Sequence, residues 1–476
     1  MHASRGVAKG MRERLPVTLG DVAQVVGGRL AGGAVQTPID GFSIDSRSLR
    51  RGDLFIAIRG DRFDGHAFVA DALERGACGA VVSDAAALGA SAAPGVVVAD
   101  TIRALQTLAR HIRRASEARV VAITGSVGKT TTKELTAALL GARYRVFRNH
   151  GNLNNHIGLP LSLLELWRRP EVAVVELGMN GPGEISRLVG VAEPELRVWT
   201  NVADVHAEFF ASIAEIADAK AEILEGATSD TVVVANAADE LIMTRVSGFP
   251  GRVATFGVGA EADVTVTEVE DRGLDGTRAQ VRTPVGSTAV TTPLLGRGNL
   301  ANVLAAITVA LQLQVPLAAI PERVAAVEAP PHRGQIRRLA RGVVVVDDSY
   351  NSSPLAVAIA LETLSRDHRV GRRVAVLGEM LELGARADAL HRATGRAAAA
   401  AGVGLLLTVG GDAARALGAA AVEAGMSDAS VVHCEDSDGA AVRLPAMLRA
   451  DDVVLVKGSR AVRTDLVVAR LEAECA

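Results

Sequence analysis

The 476-residue chain is poor in cysteine: Cys78, Cys434 and Cys475 stand far apart and form no C-x-x-C pair. That spacing gives no zinc pattern and suits a reducing compartment. Blocks of one charge sign are also missing, and the formal net charge is −3. A chain balanced in this way is not built mainly to bind nucleic acid, and it has no charged tail. The segment MHASRGVAKGMRERLPVTLG lacks the apolar centre of a signal peptide. The longest uncharged run lies between Arg297 and Glu322, but it contains Asn, Gln, Thr and Pro. A buried helix followed by a loop suits it better than a membrane span. No fixed-period repeat is present, and the alanine-rich 397–401 stretch fits the end of an ordinary helix. The expectation is a soluble cytoplasmic protein with no nucleic-acid partner and no integral membrane contact.

What is present is a long alternation of apolar runs and helical stretches. At ~100–200 residues per domain the length allows two to four domains, and 49% apolar residues let each bury a core. Residues 1–100 hold short apolar strands (Leu54 to Ile58, Gly79 to Val82, Gly95 to Val98) separated by helices. Residues 101–328 open with a helix from Ile102 to Arg114. The run Val120 to Ile123 then leads into a glycine loop and a helix from Lys129, with buried-type strands at Val172 to Leu177, Leu196 to Thr200 and Thr231 to Ala235. Strand–helix alternation predicts a mostly parallel sheet wrapped on both faces. Residues 263–295 instead alternate Val and Thr with polar residues around Gly273-Leu274-Asp275-Gly276, a pattern of antiparallel hairpins. EAPPHRG (328–334) has the composition of a hinge. The alternation restarts beyond it at Val343 to Val346, Val374 to Leu377, Leu405 to Val409, Val431 to Cys434 and Val453 to Val456. The expected fold class is therefore α/β in three domains: a small α/β N-terminal domain (1–100), a central P-loop domain of mostly parallel sheet with an antiparallel section (101–328), and a C-terminal Rossmann-like doubly wound domain (329–476). Ligands of such sheets sit at the carboxyl ends of strands.

Several residues at those ends have chemistry to offer. AITGSVGKTTTKE (122–134) has the second half of a phosphate-binding loop, Gly128-Lys129-Thr130-Thr131. The first glycine of G-x-x-x-x-G-K-[ST] is replaced by Ile123, and Gly125 stands two residues later, so the loop departs from the standard pattern. Its strand–loop–helix setting still favours nucleotide binding: backbone N–H groups of Gly125, Ser126, Val127 and Gly128 at a helix start attract phosphate, Lys129 adds a point charge, and Thr130 offers a hydroxyl to magnesium. Glu176, ending the strand VAVVEL, is a magnesium ligand or a capping or salt-bridging glutamate. His206, in the loop after LRVWTN, is a third ligand or structural. In SIAEIADAKAEILEG, Ser212 and Glu215 have capping-box spacing, and Ile213, Ile216, Ala217, Ile223 and Leu224 form a helical stripe. Lys220 lies on that stripe. It either snorkels outward or, if buried, has a depressed pKa and a nucleophilic amine that carbon dioxide converts to a carbamate, a magnesium ligand. Asn152, Asn154 and Asn155 in GNLNNHIGLP bind a polar ligand or shape a turn. Asn299 in GRGN reads a base edge or caps a helix. DDSYNSSP (347–354) and KGSR (457–460) follow apolar runs and suggest a second ligand face.

These segments occur in a recognisable order. TGSVGKTTTKE, GNLNNHIGLPLSLL, ELGMNGPGEI, His206 with AKAEI, GRGNLANVLAA, VVDDSYNSSP, VLGEMLELG and VLVKGSRAVR resemble the Mur ligases of bacterial cell-wall synthesis. FSIDSRSLRRGDLFIAIRGDRFDGHAF (42–68) resembles the uridine-nucleotide-binding domain of the family's later members. The resemblance runs from about residue 16 through nearly the whole chain. It implies an ATP-dependent amide ligase adding D-alanyl-D-alanine to UDP-N-acetylmuramoyl-tripeptide through an acyl phosphate, with magnesium in two sites and the protein acting as a monomer. Carried over by position, Lys129 and Thr130 hold phosphates and one magnesium with Glu176, while Thr131 completes the loop. His206 and carbamylated Lys220 hold the second magnesium. Asn299 contacts adenine, Arg333 and Asp347 or Asp348 complete the ATP site on domain closure, and Ser46 and Arg47 lie near the UDP end. Lys129, His206 and Lys220 form the catalytic set, and Asn152, Asn154 and Asn155 the substrate set. Three departures stand out: Ala203 replaces a glycine before His206 and Glu208, GRGN replaces GRHN, and Gly334 replaces a methionine after Arg333.

Two rivals remain on sequence. The preceding ligase of the pathway, which adds a diamino acid, carries a DNPR-type motif that this chain lacks. A nucleotide-hydrolysing switch leaves Lys220 and the third domain unexplained, and a GTPase would show N-K-x-D, which is absent.

Overall fold

The computed structural model describes residues 14–60, 63–89, 93–204, 210, 212–367 and 371–474. It contains three sheets, of five, nine and six strands. The chain divides into two compact units, Met1–Ala122 with Tyr144–Met179 and Gly183–Glu195, and Ile123–Arg143 with Asn180–Pro182 and Leu196–Ala476.

In the first unit, β1 (Arg29–Ala31), β2 (Gly41–Ser43), β3 (Asp53–Ile56), β4 (Gly79–Val82) and β5 (Gly95–Val97) form the five-stranded sheet in the order β1-β5-β4-β3-β2. β2 to β5 run parallel, and β1 closes one edge antiparallel, with Arg29 opposite Val97. β3 and β4 are buried at every residue, as strands covered on both faces must be. Helix Leu19–Val26 starts in a reciprocal capping box between Thr18 and Asp21 and stops at Gly27, which takes the left-handed conformation (φ 64°). Helix Thr101–Ser116 is capped by Asp100. Its buried Arg113 donates to the carbonyls of Ala192 and Glu193 and pairs with Glu195. β6 (Arg119–Thr124) begins in this unit, and β7 (Val146–Arg148) pairs parallel with β8 (Val172–Glu176).

In the second unit, β9 (Leu196–Trp199), β10 (Val232–Asn236), β11 (Arg252–Gly257) and β12 (Val264–Asp271) are parallel. β13 (Thr277–Thr283) and β14 (Gly286–Thr292) continue antiparallel, with a bulge in β12 at Val266/Glu268. The expected hairpin section is thus present, turning through Gly273–Asp275. The uncharged run after Arg297 lies in helix Gly296–Gln312, the short connection beyond it with a 3-10 turn at Leu317–Ala319, and the start of helix Ile320–Ala325, so the part expected as loop is partly helical. Among the described residues no helix is long and apolar enough to cross a membrane.

β15 (Gln335–Arg338), β16 (Val344–Asp348), β17 (Arg373–Gly378), β18 (Leu405–Val409), β19 (Val431–Cys434) and β20 (Val453–Lys457) form the six-stranded sheet in the order β15-β16-β20-β17-β18-β19. Only the β15 edge is antiparallel. Alternate strand residues feed opposite faces. Val344, Val346, Ala375 and Leu377 pack with Val357, Leu361, Ala398 and Leu417 of helices Pro354–Ser365, Ala387–Ala400 and Asp412–Glu423. Val345, Val374, Val376 and Val454 pack with Ala440, Leu444, Val467 and Leu471 of helices Ser437–Met447 and Asp465–Glu474. This is the doubly wound arrangement expected from the sequence.

Candidate active site

The loop after β6 is built on two glycines. Gly125 (φ 150°) and Gly128 (φ 84°) occupy backbone regions that side chains avoid. A Cβ on Gly125 would collide with Thr200 Oγ1, and one on Gly128 with Asn302 Oδ1. The segment after β9 clamps the loop. Asn201 Oδ1 accepts the Val127 N–H (2.9 Å), and its Nδ2 donates to the Val127 carbonyl (3.0 Å). Ser126 Oγ donates to the Ala203 carbonyl and accepts the Ala203 N–H. Thr200 Oγ1 also reaches the Val127 carbonyl (2.9 Å). Gly128 then starts helix Lys129–Leu140. Lys129 Nζ folds back to the carbonyls of Gly125 (2.8 Å) and Ser126 (3.2 Å). The arrangement suits a phosphate: N–H groups at a helix start with a lysine beside them.

Asn299 lies inside the first turn of helix Gly296–Gln312, whose N-cap is Leu295, so the capping role falls away. Its Nδ2 donates to the Leu295 carbonyl (2.9 Å), and its Oδ1 accepts from Asn302 Nδ2 (3.0 Å). Thr132 Oγ1 donates to Asn302 Oδ1 (3.2 Å), so Asn302 links Asn299 to the P-loop helix.

Lys220 sits on helix Ile213–Ala221 and is 2% exposed. Snorkelling is therefore not its role. Burial, and after it the charge of Lys129, hold its pKa well below that of an ordinary lysine. Ile216, Ala217 and Ile223 are buried on the same stripe, but Ile213 is exposed. It is the first residue of the helix, and its expected burial is corrected. Ser212 Oγ accepts the Glu215 N–H (3.2 Å), the first half of the expected box. The other end of the segment is held by buried Arg197 of β9, whose Nη1 donates to the carbonyls of Ile223 and Glu225, each at 2.6 Å. Burial lowers the Arg197 pKa. His206 lies outside the described residues.

In the first unit, Glu176 ends β8 and is 3% exposed. Its Oε1 accepts from Asn154 Nδ2 (2.8 Å), and its N–H donates to Asn149 Oδ1 (3.1 Å). Asn155 Oδ1 accepts the N–H groups of Ile157 and Gly158, shaping the start of helix Gly158–Leu164, and Asn152 is exposed. Ser46 is buried and hydrogen-bonds Asp71, helping to lower that carboxyl's pKa after the larger effect of Arg75. Arg47 is exposed and grips Asp45 through Nε (2.9 Å) and Nη2 (2.8 Å), which brings the Asp45 pKa down to about 2.

The C-terminal candidates separate into two networks. Asp347 is fully buried and accepts from Ser349 Oγ (2.6 Å) and His332 Nδ1 (2.9 Å). Asp348 pairs with buried Lys457 (2.6 Å). The Arg333 guanidinium stands 4.0 Å from the centre of the Tyr350 ring.

Sequence reasoning missed Arg197, Asn201 and Asn302. Asn201 had a usable signal, a polar residue at the carboxyl end of an apolar strand. Oxygen chemistry for magnesium is available at Glu176 and Thr130, but no group of three or more His, Cys, Asp or Glu among the described residues makes a metal site. The amine of Lys220, buried and with a lowered pKa, has the chemistry expected of a lysine that takes up carbon dioxide as a carbamate.

Family models match along the chain: Mur ligase family, catalytic domain, over residues 38–113; Mur ligase middle domain over 123–310; and Mur ligase, glutamate ligase domain, over 332–460. The UDP-N-acetylmuramoyl-tripeptide--D-alanyl-D-alanine ligase of Escherichia coli (strain K12) is 36% identical over 96% of this chain and 99% of its own. The structure of MurF from Acinetobacter baumannii is similar with a TM-score of 0.86 at 29% identity, covering 97% of this chain and 100% of its own. MurF ligase from Thermotoga maritima in complex with ADP gives a TM-score of 0.79 at 30% identity, covering 91% and 97%.

Proposed function

The chain belongs to the Mur ligase family, and from that premise we propose that it joins D-alanyl-D-alanine to UDP-N-acetylmuramoyl-tripeptide in peptidoglycan synthesis, converting ATP to ADP and phosphate. The observation that carries the reading is the pairing of a phosphate loop with a second, buried lysine whose pKa is lowered by burial and by the loop's own Lys129. A hydrolytic switch has no use for that second amine.

A terminal carboxylate oxygen of the tripeptide attacks the γ-phosphorus of ATP, and ADP leaves. The amine of D-alanyl-D-alanine attacks the resulting acyl phosphate at its carbonyl carbon. The tetrahedral intermediate expels phosphate with the bonding electron pair, and the nitrogen loses its extra proton. Every reactant except the amine is anionic, so the residues here act by offsetting charge. The N–H groups of Gly125, Ser126, Val127 and Gly128 cradle the phosphates. Lys129 leaves the carbonyls of Gly125 and Ser126 for the phosphate oxygens, and Thr131 completes the loop. Glu176 and Thr130 would hold one magnesium ion, and His206 with carbamylated Lys220 a second. Magnesium bound there would neutralise phosphate and acyl oxygens. The carbamate forms when Lys220 Nζ attacks carbon dioxide and releases a proton. Asn299 contacts adenine, and Arg333 with Asp347 or Asp348 contacts the nucleotide. Ser46 and Arg47 serve the UDP end, while Asn152, Asn154 and Asn155 serve the peptide-bearing substrate. Residues 1–100, 101–328 and 329–476 divide this work as UDP-binding, ATP-binding and ligase domains. The protein acts as a cytoplasmic monomer.

The test is phosphate release from ATP with defined acceptor pairs. UDP-N-acetylmuramoyl-tripeptide with D-alanyl-D-alanine is expected to give stoichiometric phosphate and a UDP-pentapeptide. Turnover only with the UDP-dipeptide and a diamino acid would move the enzyme one step earlier. Phosphate without any ligated product would restore the switch.

A further inference from the structure

Within the second unit, the chain before EAPPHRG (328–334) and the chain after it touch in two different ways. Leu274 and Leu295, which precede that segment, are buried in the same apolar cluster as Val344, Val357, Leu361 and Leu377, which follow it. Beside them, Arg338 pairs with Asp275 (3.0 Å) and Arg366 with Asp271 (3.5 Å). Separating this side would return apolar side chains to water. The second contact is made by charge. Arg386 Nη1 donates to Asp204 Oδ2 (2.6 Å) and Nη2 to Asp204 Oδ1 (2.7 Å), a two-pronged pair between residues 182 positions apart. The arginine and aspartate side chains are 50% and 43% exposed, so this pair parts without unpacking a core. In all three ion pairs the acid precedes 328 and the arginine follows 334.

Both partners of the Asp204–Arg386 pair stand on fixed ground. Arg386 ends a 3-10 turn, Gly384–Arg386, that leads into helix Ala387–Ala400, and its N–H donates to the carbonyl of buried Leu383 (3.2 Å). Buried His391 of that helix accepts the Met380 N–H at Nε2 (3.0 Å) and holds the approach to the turn. On the other side, Asp204 directly follows Ala203, whose N–H and carbonyl both bond to Ser126 Oγ of the phosphate loop (2.8 and 3.1 Å). The Val202 N–H donates to Asp239 Oδ2 (2.7 Å). The route from Arg386 to the phosphate loop is therefore one ion pair, one peptide bond and one serine hydroxyl.

A contact buried on one side and charged on the other works as a pivot and a clasp, since the charged side can part while the apolar side stays packed. Resting on the nucleotide site proposed above, we infer that Asp204 and Arg386 form an ionic clasp that couples the six-stranded-sheet part of the chain to the phosphate loop, with Arg386 as a positioning residue for nucleotide binding. A seated Arg386 holds Asp204 and, through Ala203, holds Ser126. A nucleotide on the loop favours the closed clasp to the same degree, because coupling between two sites is reciprocal. The pair is exposed, so the coupling weakens as salt rises.

The experiment is a charge-reversal cycle on the full chain. The Kd for ADP with magnesium is measured by calorimetric titration at about 50 mM and about 0.5 M NaCl, between which the Debye length falls from roughly 14 Å to roughly 4 Å. R386D and D204R are each expected to weaken binding about two- to fivefold at low salt, the range for an exposed pair of good geometry. The swapped variant D204R/R386D is expected to return to within about twofold of wild type. At high salt wild type is expected to fall to the level of the single variants. Hydrogen exchange supplies a readout that a merely local bridge would not move: R386D should quicken exchange across residues 126–129 as well as 384–386. A swap no better than the weaker single variant overturns the clasp, and so does unchanged protection of 126–129 in R386D. If D204R lowers the melting temperature of the ligand-free chain, showing a disturbed loop, D204N and R386Q replace the reversals, and losses that simply add in their double variant overturn the proposal. Wild type that binds no ADP at either salt sinks the nucleotide site on which the clasp rests.

Discussion

At the scale of single residues, Lys220 is where sequence and structure meet most directly. Its spacing from Ile216 and Ile223 put it on the apolar stripe, and the folded chain buries it. We expect K220A to lower kcat by about 10²- to 10³-fold, as loss of one group that stabilises developing charge does. Steady-state phosphate release measures this, and ¹³C-labelled bicarbonate should give a carbamate NMR signal in wild type that K220A lacks. Ile213 defeated the same periodicity because the first residue of a helix points where its cap allows. Asn302 was not legible, since three residues past Asn299 it reads as ordinary helix, and its partner Thr132 is 170 positions away. Glu193 offers a pH test. Arg114 first, then Arg110, lower its pKa from 4.5 to about 2. A depressed carboxylate stabilises the fold above its unfolded pKa, and that contribution is lost as pH falls from about 4.5 towards 2. E193Q should therefore show a shallower fall of Tm across that window than wild type. If the two Tm curves remain parallel, the bridge contributes nothing.

At the scale of elements, the helix bearing Lys220 is held at its far end by Arg197, a charge inside a buried strand. Nothing in LRVW announces this, because the carbonyls it serves are 26 and 28 residues further on. R197M leaves both carbonyls without that donor and should cost about 2–4 kcal/mol, read from the urea midpoint at constant m-value. Hydrogen exchange should quicken first across Ile213–Ala221. An unchanged midpoint would mean that water replaces the guanidinium. The phosphate loop is the element most exposed to side-chain addition. G128A places a methyl against Asn302 Oδ1 in a left-handed backbone. It should weaken ATP binding by at least about tenfold while the remaining fold persists, a result calorimetric titration can check. Wild-type affinity in G128A would mean that the loop tolerates the shift. The valine-rich strands were legible to within a residue or two, because such runs covered on both faces have few alternatives, but β1, β2, β7, β11 and β15, which lack such runs, were not.

At the scale of the whole chain, the alternation of strand and helix disclosed the α/β class and the antiparallel interruption, but not the order of strands. Sequence neighbours often become sheet neighbours, and β19 to β20 breaks that habit. Sedimentation should give a single species near 49.2 kDa, and a concentration-dependent dimer would correct the proposed monomer. The position of β20 has one more consequence. The strand enters between β16 and β17, which precede it in the order of synthesis by about 110 and about 80 residues. While the segment before Val453 is still being made, those earlier strands lack their common neighbour and leave valine edges unpaired, an exposure that favours misassembly. Closing the gap brings Lys457 to Asp348 in the same movement, so a nascent chain gains that buried ion pair only when its last sheet is whole.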